Sequence, residues 1–333
     1  MKISASIYSD KKRPLKKTVE DLKAHQVDYL HVDCNDDLTV LEDIKQLREW
    51  CDLPIDLHII SNEPEKFYSG INQLKIEFVT FQHEELPKDF VFPELPSSKL
   101  GLAIVTPTSV DVFDHYQGLD FILLMATIPG QSGGKFNADN FRKIREFKKR
   151  YPKKQLHVDG GVNGEVSFIL RNMGVHASVS GSFLFNAPSI GQALMDLTKR
   201  EVQSAFKIKD FMIPRAECPV IDRKKLSLES ALRSIDEGKL GFAIVKHDAK
   251  FDGIISNADI RKTLLKHIDQ LPLLPAEEMI NKNPIFIRED RNVNDMLRLV
   301  REQAFPISYL PVINKDKEPT GIVTFVNLVK GEF

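Results

Sequence analysis

Only three cysteines, Cys34, Cys51 and Cys218, occur among 333 residues, and they stand far apart. No CxxC pair is present and the count is odd, which excludes a disulfide framework and points to a reducing compartment, the cytoplasm. Charge of one sign is also missing. The net value of −1 leaves no global basic field to recruit nucleic acid or an anionic membrane. No run approaches the ~18 apolar residues that would span a bilayer. The opening "MKISASIYSDKK" is too short in apolar residues and too polar for a signal peptide. What remains, at 42% hydrophobic and 28% charged residues, is a globular composition long enough for more than one domain.

Over residues 1–200, short Val/Ile/Leu/Phe-rich runs alternate with segments whose apolar residues recur at three and four. Eight strands are expected: "KISASIY", "DYLHVDC", "PIDLHII", "IEFVTF", "KLGLAIV", "LDFILLM", "KQLHVDG" and "HASVSGS". With seven or eight helices between them, this predicts an α/β fold, a closed (β/α)8 TIM barrel, with an open doubly wound sheet as the alternative. The helix between "TFQHEELPKDF" and "SSKLG" is poorly marked.

Residues 210–333 carry an internal repeat, reached through a linker at 201–209. "DFMIPRAECPVI" answers to "EEMINKNPIFI", and "FDGIISNADI" to "PTGIVTFVNL"; Gly253 and Gly321 lie 68 residues apart. The two β-α-β modules span 210–270 and 277–333.

Catalytic groups of such a barrel sit at the C-terminal strand ends. His31 and Asp33 end the second strand, and their H-x-D spacing puts both on one face. His58 ends the third and Asp159 the seventh. Two imidazoles and two carboxylates are a donor set for one divalent cation, Zn, Fe, Mn or Co. Each residue alone reads more often as a hydrogen-bonded structural group; the placement of the set on three strand ends favours chemistry. Three glycine-bearing loops follow strands six, seven and eight: "PGQSGGKF", "DGGVN" and "SGSFLF". Gly160, Gly161, Gly181 and Ser182 are candidates to cradle a phosphate with backbone N–H groups. Gly130, Gln131, Ser132 and Gly133 are candidates to close over it, and simple turns are the plainer alternative.

In order along residues 1–195, "SASIYSD", "HVDCNDD", "IDLHII", "FVTFQHE", "MATIPGQSGGKF", "HVDGGVN" and "VSGSFLF" resemble the ribulose-phosphate 3-epimerase family. The resemblance implies His31, Asp33, His58 and Asp159 as metal ligands and Asp33 and Asp159 as the acid/base pair. Ser6, His58 and Met125 would contact substrate. It implies D-ribulose 5-phosphate as the phosphorylated ketose, turned into D-xylulose 5-phosphate through a metal-stabilised enediolate. Asn35 and Ile60 replace family methionines, Asp37 replaces a glycine, and the loop after it is shortened. These departures leave open another ketose such as a hexulose 6-phosphate, or a non-catalytic sugar-phosphate-binding regulator. "GIISNADIRKTL" and "GIVTFVNLVKG" resemble the ends of two CBS modules. They imply an AMP- or ATP-type effector held by Ser256, Asp259, Arg261 and Thr324, with Asn327 a weaker ribose contact, or else a pair kept for dimerisation. Such pairs imply a homo-oligomer.

Overall fold

The computed structural model describes residues 1–127, 133–199, 204–305 and 307–327. They form two compact units, one ending at residue 199 and the other starting at 204. Among the described residues no helix is long and apolar enough to cross a membrane.

In the first unit eight strands lie side by side in chain order. They are β1 (Lys2–Ser6), β2 (Tyr29–Asn35), β3 (Ile55–Ile60), β4 (Phe78–Gln82), β5 (Lys99–Val105), β6 (Phe121–Met125), β7 (Gln155–Asp159) and β8 (Ala177–Ser180). All pairs are parallel, and Lys2↔Ala177 through Ala5↔Ser180 join β1 to β8, so the sheet is a closed barrel rather than an open one. Strand alternation sorts the residues. In β2, Leu30, Val32 and Cys34 are buried on the face away from His31 and Asp33. Ala103, Leu123, Met125 and Val179 pack together as one apolar cluster.

The outer helices are α1 (Leu15–Ala24), α2 (Thr39–Trp50), α3 (Tyr68–Leu74), α4 (Asp139–Arg150), α5 (Gly164–Asn172), α6 (Ser182–Asn186) and α7 (Ile190–Thr198). In α4, Phe141, Ile144 and Phe147 form the buried stripe while Arg142, Lys149 and Arg150 are exposed. The poorly marked helix is absent. Between β4 and β5 there is only the 3₁₀ turn His83–Glu85, and between β5 and β6 only the 3₁₀ segment Val110–His115. Pro87, Pro93 and Pro96 explain the first case, because each lacks an N–H and biases its predecessor away from helix. Aromatic rings fill the space: Phe92 lies 5.4 Å from Phe81, 5.0 Å from Phe90 and 5.3 Å from Tyr116 between centroids.

One buried cation ties α4 to the barrel. Lys143 Nζ donates to the carbonyl of Val105 at 2.7 Å, and burial pushes the amine down to about 8.

The second unit opens with α8 (Ile208–Phe211) and β9 (Ile213–Pro214). Its first copy is β10 (Val220–Asp222), α9 (Leu228–Gly238), β11 (Phe242–His247), β12 (Lys250–Ser256) and α10 (Asn257–Lys266). The second is β13 (Ile287–Arg288), α11 (Val293–Arg301), β14 (Tyr309–Ile313) and β15 (Pro319–Thr324). Each copy pairs its first strand parallel and its last antiparallel to the middle one. The copies also exchange segments. Residues leading into the second copy bridge back to the first at Ile254↔Asn281, and β9, leading into the first, pairs with β15 of the second. Glycine permits both crossings. A Cβ on Gly253 would fall 2.3 Å from the Asn281 carbonyl oxygen, and one on Gly321 would fall 2.3 Å from that of Ile213.

Gly253→Val and Gly321→Val should therefore each lower stability by at least about 2 kcal/mol. Urea denaturation followed by circular dichroism measures this, and unchanged midpoints would contradict the crossing as a constraint. For Lys143 the sign is set by its lowered pKa. Between about 8 and the ordinary 10.5 the unfolded chain holds more protons, so native stability rises with pH. The stability of the wild type relative to Lys143→Met should increase from pH 8 to pH 10; a constant difference would contradict it.

Candidate active site

Strand register assembles the site. Ser6 pairs with His31, Asp33 with His58, and Met125 with Asp159. The four predicted ligands converge: each offers one donor atom, and these atoms lie within 4.8 Å of one another. His31 Nε2 is 3.2 Å from Asp33 Oδ1 and 3.9 Å from Asp159 Oδ2, and His58 Nδ1 is 3.4 Å from Asp33 Oδ1. Both imidazoles are fully buried, while the carboxylates of Asp33 and Asp159 are 20% and 19% exposed and so reach the rim.

Each imidazole is oriented from behind. His31 Nδ1 lies 2.9 Å from Asp56 Oδ2, an oxygen that also accepts from Ser4 Oγ at 2.7 Å. Donation there leaves Nε2 facing the carboxylates. His58 Nε2 lies 2.9 Å from Gln82 Oε1, which leaves Nδ1 facing the cluster, buried and without a hydrogen bond. Sequence reading missed Asp56, Ser4 and Gln82 as parts of the site. The signal was available for Asp56, which stands two residues before His58 in "IDLHII" and therefore on its face.

The electrostatics suit a cation. Burial alone would raise Asp33, but its surroundings, the charge and hydrogen bond of His31 first among them, outweigh it and hold the carboxyl below the usual range. Asp56 behaves likewise, with His31 outweighing its burial. Burial, opposed by His31 and reinforced by Asp33, pushes Asp159 up to about 6. Burial disfavours charge on His31, yet Asp56 and Asp33 drive it well above the ordinary value. The cluster thus draws in positive charge wherever it can. Donors ~2.0–2.2 Å from a shared ion stand roughly 3–4 Å apart, so the residues present fit a divalent metal.

Around this centre, Ser6 ends β1 with its Oγ 3.0 Å from Ser9 Oγ, and Met125 ends β6, buried. Gly160 and Gly161 follow β7 at φ +107° and +67°. A Cβ at Gly161 would lie 2.1 Å from the Phe136 nitrogen, so the chain after β6 seats on the loop after β7 only over glycine. Gly181 and Ser182 follow β8, where a Cβ on Gly181 would meet Ser9 Oγ at 2.3 Å. Gly133 is described, at φ +90°; Gly130, Gln131 and Ser132 lie outside the described residues. Asn35 is exposed and Ile60 half-buried, and only three residues join β2 to α2, Asp37 among them.

In the second unit Ser256 and Thr324 end equivalent strands, opposite Phe242 and Tyr309, whose rings stack at 3.6 Å. Ser256 and Asp259 bind each other: Ser256 Oγ donates to Asp259 Oδ2 at 2.6 Å, and Asp259 N donates back to Ser256 Oγ at 3.2 Å. They cap α10. Arg261 is exposed on the same helix.

Comparison with known proteins matches the ribulose-phosphate 3 epimerase family at residues 2–185 and the CBS domain at 276–331. The ribulose-phosphate 3-epimerase of Bacillus subtilis (strain 168) is 26% identical over 212 residues, covering 59% of this chain and 98% of that protein. That of Helicobacter pylori (strain ATCC 700392 / 26695) is 30% identical over 205 residues, covering 56% and 92%. Among solved structures, CBSX2 in complex with AMP aligns at TM-score 0.32 and 25% identity over 38% of this chain and 96% of that one.

Replacing Asp56 separates orientation from ligation. Asp56→Ala should weaken zinc binding about 10–100-fold, with Asp56→Asn, which keeps an acceptor oxygen, nearer wild type. Competition with a chromophoric chelator measures this; wild-type affinity in Asp56→Ala would contradict the role given to it.

Proposed function

Because the chain belongs to the ribulose-phosphate 3-epimerase family, we propose that its barrel inverts C3 of a ketose phosphate, converting D-ribulose 5-phosphate to D-xylulose 5-phosphate. The observation that carries this reading is the convergence of His31, Asp33, His58 and Asp159 at one rim, with two carboxylates in opposed environments. These four residues would hold one divalent ion, which supplies Lewis-acid stabilisation of the negative charge that builds on substrate oxygens when a carbon-bound proton leaves.

The chain's own groups do the rest. One of Asp33 and Asp159 takes the C3 proton and the other returns a proton to the opposite face; the two roles exchange with the direction of reaction. Such partners each contribute ~10²–10⁴-fold. Asp56 and Gln82 keep the imidazoles aimed at the shared point. Ser6, Gly160, Gly161, Gly181 and Ser182 offer hydroxyl and backbone N–H groups to the phosphate.

A second substrate reading is favoured by the three-residue connection from β2 to α2 and by Asn35 and Ile60 beside it. That connection leaves room for a longer ketose such as a hexulose 6-phosphate. The CBS unit is read as a nucleotide-sensing or dimerising module, with Ser256, Asp259, Arg261 and Thr324 as contacts for an adenine nucleotide. A nucleotide there competes with the Ser256–Asp259 bond.

Deuterium incorporation at C3, run in metal-replete protein on a panel of ketose 5- and 6-phosphates with and without AMP and ATP, tests the reading. Exchange should occur with ribulose 5-phosphate, and Asp33→Asn and Asp159→Asn should each lower it about 10²–10⁴-fold. Tight binding of a phosphosugar without exchange would establish a non-catalytic receptor instead.

A further inference from the structure

Strand β4 ends in Gln82, whose amide oxygen faces His58 Nε2 at 2.9 Å. A carboxamide can turn either its oxygen or its nitrogen toward an imidazole, and the rest of its surroundings decide. Here the nitrogen is committed elsewhere. Gln82 Nε2 donates to Glu84 Oε2 and reaches the Ala103 carbonyl at 3.5 Å. Glu84 is anchored in turn, since its Oε1 accepts from the backbone N–H of Val105 at 3.1 Å and from Thr108 Oγ1. A carboxylate can only accept, so it holds the amide nitrogen and leaves the amide oxygen to His58. Facing an acceptor, His58 carries its proton on Nε2. Its Nδ1 lone pair then looks toward Asp33, 3.4 Å away, where that nitrogen is buried and has no hydrogen bond.

We propose that Glu84, acting through Gln82, is a positioning residue that fixes the tautomer in which His58 offers Nδ1 to a metal ion. The inference rests on the reading of His58 as a ligand. An imidazole protonated on Nδ1 would present an N–H to the cation and could not bind it. The device lies on the end of β4, the 3₁₀ turn that follows it and the C-terminal end of β5 with the residues just after, so it orients the third strand's histidine from the next strand along.

The full chain serves for the test, as wild type, Gln82→Met, Glu84→Gln and the double change Gln82→Glu/Glu84→Gln. Nitrogen-15 NMR of histidine-labelled, metal-free protein reads the tautomer, with His58 assigned by its loss in His58→Asn. Zinc competition with a chromophoric chelator reads affinity. Wild type should show a single Nε2–H tautomer. Gln82→Met and Glu84→Gln should show mixed tautomers and bind zinc about 10–100-fold more weakly. The double change should return to within about threefold of wild type, because the new carboxylate at 82 accepts from His58 and the new amide at 84 donates to it. Glu84 is exposed, so Glu84→Gln tests the inference even where Gln82→Met unfolds the barrel. Wild-type tautomer and affinity in both single variants overturn the proposal. So does a loss that the double change fails to restore. The tautomer is read without ion or substrate. A chain inactive toward every ketose but holding one His58 tautomer would therefore count against the proposed reaction and leave this inference standing.

Discussion

Negative charge concentrated at the barrel's C-terminal rim is the constraint around which the first unit is organised. Asp33, Asp56 and Asp159 lie within 3.9 Å of His31, and Asp33 also lies 3.4 Å from His58, so three carboxylates face two imidazoles. The displaced protonation of the group expresses that imbalance, with Asp159 pushed toward its neutral form and His31 toward its charged one. Buried charge of this kind is costly unless paired, and a divalent cation is the partner whose ligand geometry these donors match. The hydrogen bonds that Asp56 and Gln82 accept from the imidazoles, and the one that Ser4 donates to Asp56, follow from the same need, since ligands that must meet at one point have to be held from behind.

Closure of the sheet makes the convergence geometric rather than accidental. With every strand parallel and each paired to its neighbour, residues from β1, β2, β3, β6 and β7 come to one rim at matched heights. Apolar interior neighbours such as Leu123 and Val179 sit among these strands in one cluster with Met125, so the polar groups have a packed floor. The loops that follow are shaped by glycine where neighbours approach most closely, at Gly161 against the Phe136 backbone and at Gly181 against the Ser9 side chain.

Much of this was legible from residue order. Strand ends could be read from apolar runs closing on His31, Asp33, His58 and Asp159, and H-x-D spacing placed two ligands on one face. The family match at residues 2–185 bears out the barrel reading, and a CBS domain at 276–331 bears out the second. What escaped depends on neighbours rather than on sequence. The part played by Gln82 is set by β3–β4 register and by Glu84, Thr108 and Val105, which no periodicity links. The poorly marked helix before β5 gave way to prolines and to a cluster of aromatic rings. The pairing of Ser256 with Asp259 shows a motif read for ligand binding also serving as a helix cap.

The segment exchange in the second unit carries a consequence for how such a repeat can exist at all. Each copy borrows the stretch of chain that introduces its twin, so a solitary copy would present a sheet with a vacant edge. Duplication here is therefore more than a doubling of surface. The two modules are halves of one fold, bound to be gained, kept or lost together.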